Sequence, residues 1–331
     1  MLRPQIVIVT PALADANNGN WQTARRWARQ LAQAYPVRLA ASWDGGGEAL
    51  MIALHARRSA PSVARWRAER GAAPLVVVLT GTDLYRDIGF DASAQASLRA
   101  ADRLVVLNEL GAASLPDSLR PKARVILQSC AARRPLPKTR RHLRAVMVGH
   151  LRAEKSPATY FEAARLLAGR ADIRLDHVGA ALDPALGAQA RALAAECPRY
   201  RWLGALARGE TRRRIQGAHV LVHPSAMEGG AHVVIEAVRS GTPVLASRID
   251  GNLGLLGADY GGCFEPGDAA ALAALLQRLR DAPAMLDALR RQCEARAALF
   301  DPAREAAALR SLIGETLVAA RALPPTLRDA P

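Results

Sequence analysis

Long apolar runs are missing from this chain of 331 residues, and nothing in it approaches the ~20 apolar residues that a membrane-spanning helix needs. The run at 6–9 is too short for a secretory signal and passes at once into a polar, glycine-containing loop. Cysteine is sparse. Cys130, Cys197, Cys263 and Cys293 lie far apart, with no CxxC pair and no histidine at metal-ligand spacing, so neither a disulfide framework nor a zinc motif is expected. Free thiols in a reducing compartment make the expected localisation cytoplasmic. Lysine is sparser still, with Lys122, Lys138 and Lys155 the three among 45 basic residues. Acids are too few to balance the arginines: 30 against 45 leaves a formal charge of +15 and a pI near 10.9. A basic excess attracts polyanions nonspecifically. The arginines are spread through the whole chain, however, and no nucleic-acid module is recognisable, so nucleic acid is not expected as the main ligand. Internal repeats and low-complexity segments are also lacking.

What is present is a large core, since 50% of the residues are hydrophobic and the length exceeds that of one typical domain. Strand-like runs alternate with helical patterns, the signature of a parallel sheet covered on both faces. Strands are expected at 5–10, 37–41, 50–54, 74–79, 103–107 and 124–127, with helices such as 21–34 and 59–69 between them. A second series is expected at 144–148, 173–178, 200–203, 219–223, 243–247 and 262–264. Between the series, residues 131–143 carry two prolines, six basic residues counting His142, and no acid, and read as a linker. The expected fold class is thus α/β, with one doubly wound domain over 1–130 and a second over 144–300. Two such domains leave a cleft at the carboxyl ends of their strands, where such sheets bind ligands. A last helix at 301–323 is able to cross back onto the first domain, and 324–331 reads as a frayed tail.

The stretch from His223 to Ser247 is the most informative. It reads as a buried strand, a loop with Glu228, Gly229 and Gly230, and a helix with Glu236, separated from Glu228 by seven residues. Glycines let a backbone approach a ligand closely, and free N–H groups at such a loop suit an anionic or hydroxyl-rich molecule.

Four pieces in this half, VGHLRAEKS at 148–156, WLGAL at 202–206, HPSAMEGGAHVVIEA at 223–237 and SGTPVLAS at 240–247, resemble the GT-B glycosyltransferases of the sucrose and glycogen synthase type. Their order matches that family, glycosyltransferase family 4. The resemblance implies two Rossmann-like domains facing a central cleft, with acceptor binding in the first and nucleotide-sugar binding in the second. It implies that Arg152 and Lys155 hold the diphosphate of a nucleotide sugar, so that no divalent ion is essential and no cofactor is required. It further implies Glu228 at the transferred sugar, Glu236 at the ribose, and Leu203 and Gly204 beside the base. Gly229, Gly230, Ala231, His232 and Val233 complete the donor side. The catalytic assignment is Glu228, Lys155 and Arg152; read as bare residues, the two cations are equally solvated charges at a helix start. The chain departs from the family's EGFG by reading EGGAH, which alters the wall around the sugar.

On the acceptor side, Asn17, Asn18, Gly19 and Asn20 follow the first strand and are either a nest of amide donors or an ordinary N-capped turn. His55 and Arg57 follow the third strand, and Thr80, Gly81, Thr82 and Asp83 the fourth. The segments at 6–32 and 80–88 look most like the selenosugar-forming branch of the same family, in which a UDP-sugar, UDP-N-acetylglucosamine or UDP-glucose, reacts with selenophosphate. Selenophosphate is itself an anionic nucleophile, so the site needs cations and donors rather than a strong base. The alternatives are a conventional glycosyltransferase with a hydroxyl acceptor and a noncatalytic basic nucleotide-sugar-binding protein.

Overall fold

The computed structural model describes residues 3–11 and 19–322; Asn17, Asn18 and the tail at 324–331 lie outside the described residues. The chain divides into two compact units, one comprising Met1–Gln128 with Pro302–Pro331 and the other Ser129–Asp301.

The first unit holds β1 (Ile6–Val9), α1 (Gly19–Leu31), β2 (Val37–Ala40), β3 (Leu50–Leu54), α2 (Ala60–Arg70), β4 (Leu75–Leu79), α3 (Thr82–Tyr85), α4 (Ala92–Ala100), β5 (Arg103–Val106) and β6 (Ala123–Val125). Its six strands are all parallel, in the order β2-β1-β3-β4-β5-β6. β1, β3 and β4 are buried at every position, as expected where helices cover both faces. Side chains alternate between two cores. Val7, Val9, Met51, Ala53, Val77 and Leu79 face Val63 and Trp66 of α2 and Leu98 of α4. Ile6, Ile8, Leu50, Ile52, Val76 and Val78 face Trp27 and Leu31 of α1. The edge strand β6 lies one residue earlier than the expected start and ends at Val125, since it has a single neighbour to hold its register.

The second unit holds β7 (Leu143–Val148), α5 (Pro157–Leu166), β8 (Ile173–Val178), α6 (Pro184–Glu196), β9 (Tyr200–Trp202), α7 (Arg208–Gly217), β10 (Val220–His223), α8 (His232–Val238), β11 (Val244–Ser247), α9 (Asp250–Leu256), β12 (Cys263–Phe264), α10 (Ala269–Asp281) and α11 (Pro283–Ala297). Its sheet is parallel throughout, ordered β12-β11-β10-β7-β8-β9. From β7 the chain winds outward through β8 and β9, then crosses back to β10 and winds the other way. β7 and β10 are neighbours from which the chain winds in opposite directions, and such a switch point is where open α/β sheets carry a ligand-binding crevice.

Residues 131–142 form neither helix nor strand and are held to the second unit. Arg133 N donates to Arg239 O at 2.9 Å, Arg212 Nη2 to Ala131 O at 2.8 Å, and Gln216 Nε2 to Arg134 O at 2.5 Å. The chain then returns to the first unit in α12 (Pro302–Ala322). Leu309, Leu312 and Ile313 enter the core beside Trp27 and Leu31. The buried Glu305 carboxylate accepts hydrogen bonds from Trp27 Nε1 at 2.8 Å, Arg26 Nε at 2.9 Å and Gln30 Nε2 at 3.0 Å.

Candidate functional site

The two loops at the switch point of the second sheet bring opposite charges together. After β7 a short turn over Ala153–Lys155 ends at Ser156 in a left-handed conformation (φ +45°), and Pro157 opens α5. That turn aims Lys155 at the loop after β10. Lys155 Nζ donates to Glu228 Oε1 at 2.5 Å, with side chains only 17% and 12% exposed, and His223 Nε2, at the end of β10, lies 3.2 Å from the same oxygen. Ala226 N donates to Glu154 O at 3.0 Å and ties the loops to each other. Burial opposes the Glu228 charge, but the Lys155 ammonium and then the His223 ring outweigh it and hold the carboxyl well below its usual range. Burial also pushes the His223 ring down, and Glu228 reverses only part of that. At neutral pH the ensemble is a carboxylate, an ammonium and an uncharged imidazole.

Backbone packing fixes the carboxylate from behind. α9 begins so close to the loop that a Cβ on Gly251 would come 1.9 Å from Glu228 O. Ser247 Oγ donates to Ser225 O at 2.5 Å, and Asn252 Nδ2 to Ser247 O at 2.9 Å, which binds the ends of β10 and β11 to α9. The lysine loop is fixed in a similar way. A Cβ on Gly179 would meet Gly149 O at 1.9 Å, and Gly179 N donates to Gly204 O at 2.8 Å. His177, buried in β8, has Nε2 3.2 Å from Gly149 O and Nδ1 3.1 Å from Tyr200 Oη. A carbonyl only accepts, so Nε2 carries the proton and the tyrosine donates to Nδ1. Burial pushes this ring down to about 4, leaving it neutral.

Glu236, 5% exposed in α8, has His232 Nδ1 3.4 Å from Oε1 and Arg208 and Arg212 Nε each at 3.7 Å. Burial opposes its charge too, and His232 with the two arginines wins, so its carboxyl is also held low. Gly229 and Ala231 are buried, Gly230, Val233, Leu203 and Gly204 half-buried, and Gly204 adopts φ +67°. Arg152 is exposed on the lysine loop, its carbonyl accepting from Lys155 N at 3.1 Å.

In the first unit, Gly19 and Asn20 open α1, and Gly19 O accepts from Thr23 Oγ1 at 2.9 Å. Asp83 is wholly buried. Its Oδ1 accepts from Thr80 N at 2.8 Å and Gly81 N at 2.9 Å, and its Oδ2 from Ala56 N at 2.9 Å, so it organises the ends of β3 and β4. His55, with the left-handed φ of +73°, sits 3.1 Å from Thr82 Oγ1. Burial lowers its pKa despite Asp83. Arg57 and Arg86 reach the buried Asp87 carboxylate at 2.9 and 3.0 Å with their side chains still 38% and 39% exposed.

Sequence reasoning passed over His223, His177, Asp87 and Arg86 as site residues, and Gly251 altogether. The DGNLG that follows the SGTPVLAS piece was the available signal for Gly251, because three small or polar residues open a helix there. Among the described residues no group of three His, Cys, Asp or Glu side chains is placed to hold a metal, and no helix is long and apolar enough to cross a membrane.

The family model of the glycosyl transferases, group 1, matches residues 131–299. Sucrose-phosphate synthase from Thermosynechococcus elongatus is similar in structure, with a TM-score of 0.77 and 19% identity over 96% of this chain and 100% of that one. HepE from Anabaena, solved in complex with UDP and glucose, has a TM-score of 0.71 and 17% identity, over 96% of this chain and 100% of its own. The trehalose 6-phosphate synthase of Burkholderia multivorans follows at 0.66 and 14%, over 83% and 73%. At these identities the likeness is one of fold, two Rossmann-like α/β units of the GT-B type. No curated protein matches the chain in sequence.

Proposed function

Because the chain belongs to the group 1 glycosyl transferases, we propose that it moves a sugar from a UDP-sugar, UDP-N-acetylglucosamine or UDP-glucose, to selenophosphate, giving a 1-selenosugar. The observation that carries the donor half is the Lys155–Glu228 pair at the switch point of the second sheet. A diphosphate entering that crevice takes Lys155 from Glu228, with Arg152 as the second cation. The freed carboxylate then accepts a hydrogen bond from a hydroxyl of the transferred sugar. As the bond from C1 to the diphosphate oxygen breaks, the electron pair leaves on UDP, and the two cations stabilise the charge that builds there. Glu236 accepts from the ribose, and the backbone at Leu203 and Gly204 borders the base. HepE, a relative in fold, binds UDP and glucose, which favours the same donor class.

For the acceptor, a selenium lone pair of selenophosphate forms the new bond to C1, and water later cleaves the P–Se bond to release phosphate. The half-exposed Arg57 and Arg86 supply positive charge, and His55, Thr80, Gly81 and Thr82 supply polar groups at the same strand ends. Asn17 to Asn20 are assigned to the same anion. Purified protein with UDP-sugars and selenophosphate should release UDP and a sugar–selenium product. UDP release with hydroxyl acceptors alone would remove selenophosphate and leave the donor half standing. Lys155→Ala and Glu228→Ala should each lower kcat/KM by roughly a hundredfold to a thousandfold, the scale of losing one transition-state contact. Unchanged turnover in both would remove the site.

A further inference from the structure

A second feature of the Ser129–Asp301 unit lies at the other end of its sheet. Arg144 is near the start of β7, about 15 Å along the strand from the lysine loop at the strand rise. It forms part of an open groove of about 1140 Å³ whose walls are Arg133 and Arg134 of the extended segment and Arg213 and Arg214 of α7. Leu136, 41% exposed, lines it as well, beside Pro137. Glu210 is its one acid, paired with Arg214 at 3.4 Å.

The charge here is concentrated rather than spread. The second unit has 25 basic and 17 acidic residues, a net +8, of which residues 131–144 supply +6 with no acid. Like charges are also set side by side, which costs stability unless an anion joins them. Arg144 and Arg174 are direct neighbours across β7 and β8, and each has a buried Nε without a hydrogen-bond partner. The walls are already in place, since Gln216 and Arg239 bind the backbone of Arg134 and Arg133.

We propose that this groove docks an acidic peptide segment of a partner protein, with glutamates or aspartates on the arginine forks and an apolar side chain on Leu136 and Pro137. Guanidinium forks match carboxylates two bonds at a time, and a groove lined by one sign of charge draws such a segment in. A bare polyphosphate or nucleic-acid backbone has no use for the apolar contact. A lipid surface is flat and does not fill a concave site.

The test is fluorescence anisotropy on the full chain with a short labelled peptide of glutamates interrupted by leucines, at low salt and at about 0.15 M salt. Binding should weaken with salt, fall roughly tenfold or more in Arg213→Glu with Arg214→Glu, and fall severalfold when serine replaces the leucines. Arg133→Gln with Arg213→Gln, a milder change, should also weaken it, with each variant's fold checked by circular dichroism and sugar transfer unchanged. The proposal is overturned if variants and the parent protein bind alike. It is also overturned if the serine peptide or inorganic polyphosphate binds as tightly as the leucine peptide, or if phosphatidylserine vesicles retain the protein while the peptide does not.

Discussion

A carboxylate that is 12% exposed stays charged because Lys155 and His223 surround it, so before the donor binds Glu228 is ionised across the physiological range and adds no acid limb to kcat/KM. His177 behaves in the opposite way. Its ring titrates at about 4 when folded, against an ordinary 6.5 when unfolded, so between these values the unfolded chain binds a proton that the folded one refuses. Stability is therefore full above 6.5 and lost as the pH falls toward 4, by about 3 kcal/mol at most. Urea midpoints at pH 7 and pH 4.5 should show this loss in the parent protein, and His177→Gln should flatten the difference while costing stability at pH 7. An equal acid loss in the variant would assign it to other groups. Because His177 holds Gly149 O, the same variant should also raise KM for the donor.

Elements position these residues, and here sequence and structure part company in an instructive way. The central strands β1, β3, β4, β10 and β11 were legible from short runs of valine, isoleucine and leucine bounded by polar turns, since a strand buried on both faces needs no partner's sequence to declare itself, while the edge strands β6, β9 and β12 were legible only from their place in the alternation with helices. Glu228 was legible from the glycine loop that follows such a strand, and Lys155 through the resemblance of VGHLRAEKS to the family's motif. Gly251 was not, because its constraint is a contact with the carbonyl of Glu228, a residue 23 positions earlier, and no local pattern encodes a distance across the fold. Asp83 shows the reverse limit. A carboxylate at a strand end reads as a ligand contact, while in the structure three backbone amides occupy it. Gly251→Ala should displace the Glu228 loop and lower kcat at least tenfold, a loss on the scale of misplacing a catalytic group by about 1 Å. Steady-state kinetics with a thermal melt would check it, and full activity with an unchanged melting temperature would show that α9 gives way freely.

At the scale of the whole molecule, the two units are unequal in how much continuous chain they need. Ser129–Asp301 is one uninterrupted stretch, whereas the first unit takes Glu305, Leu309, Leu312 and Ile313 from α12. Residues 129–301 expressed alone should therefore melt cooperatively. Residues 1–128 alone should be unstable, because without α12 the apolar face at Trp27 and Leu31 is open to water, at about 1.5–3 kcal/mol for each large side chain no longer covered. Circular dichroism on both fragments, with a peptide of residues 302–322 added to the second, should show recovery on addition; a stable 1–128 without the peptide would refute the dependence. Synthesis on the ribosome runs the other way. The first unit emerges first but stays open at Trp27 until α12 has left the exit tunnel, so the later-made unit completes its fold before the earlier one. A ribosome that stalls between the two leaves an unclosed hydrophobic face to be shielded by chaperones, and the duration of that exposure is set by the time needed to translate residues 129–322.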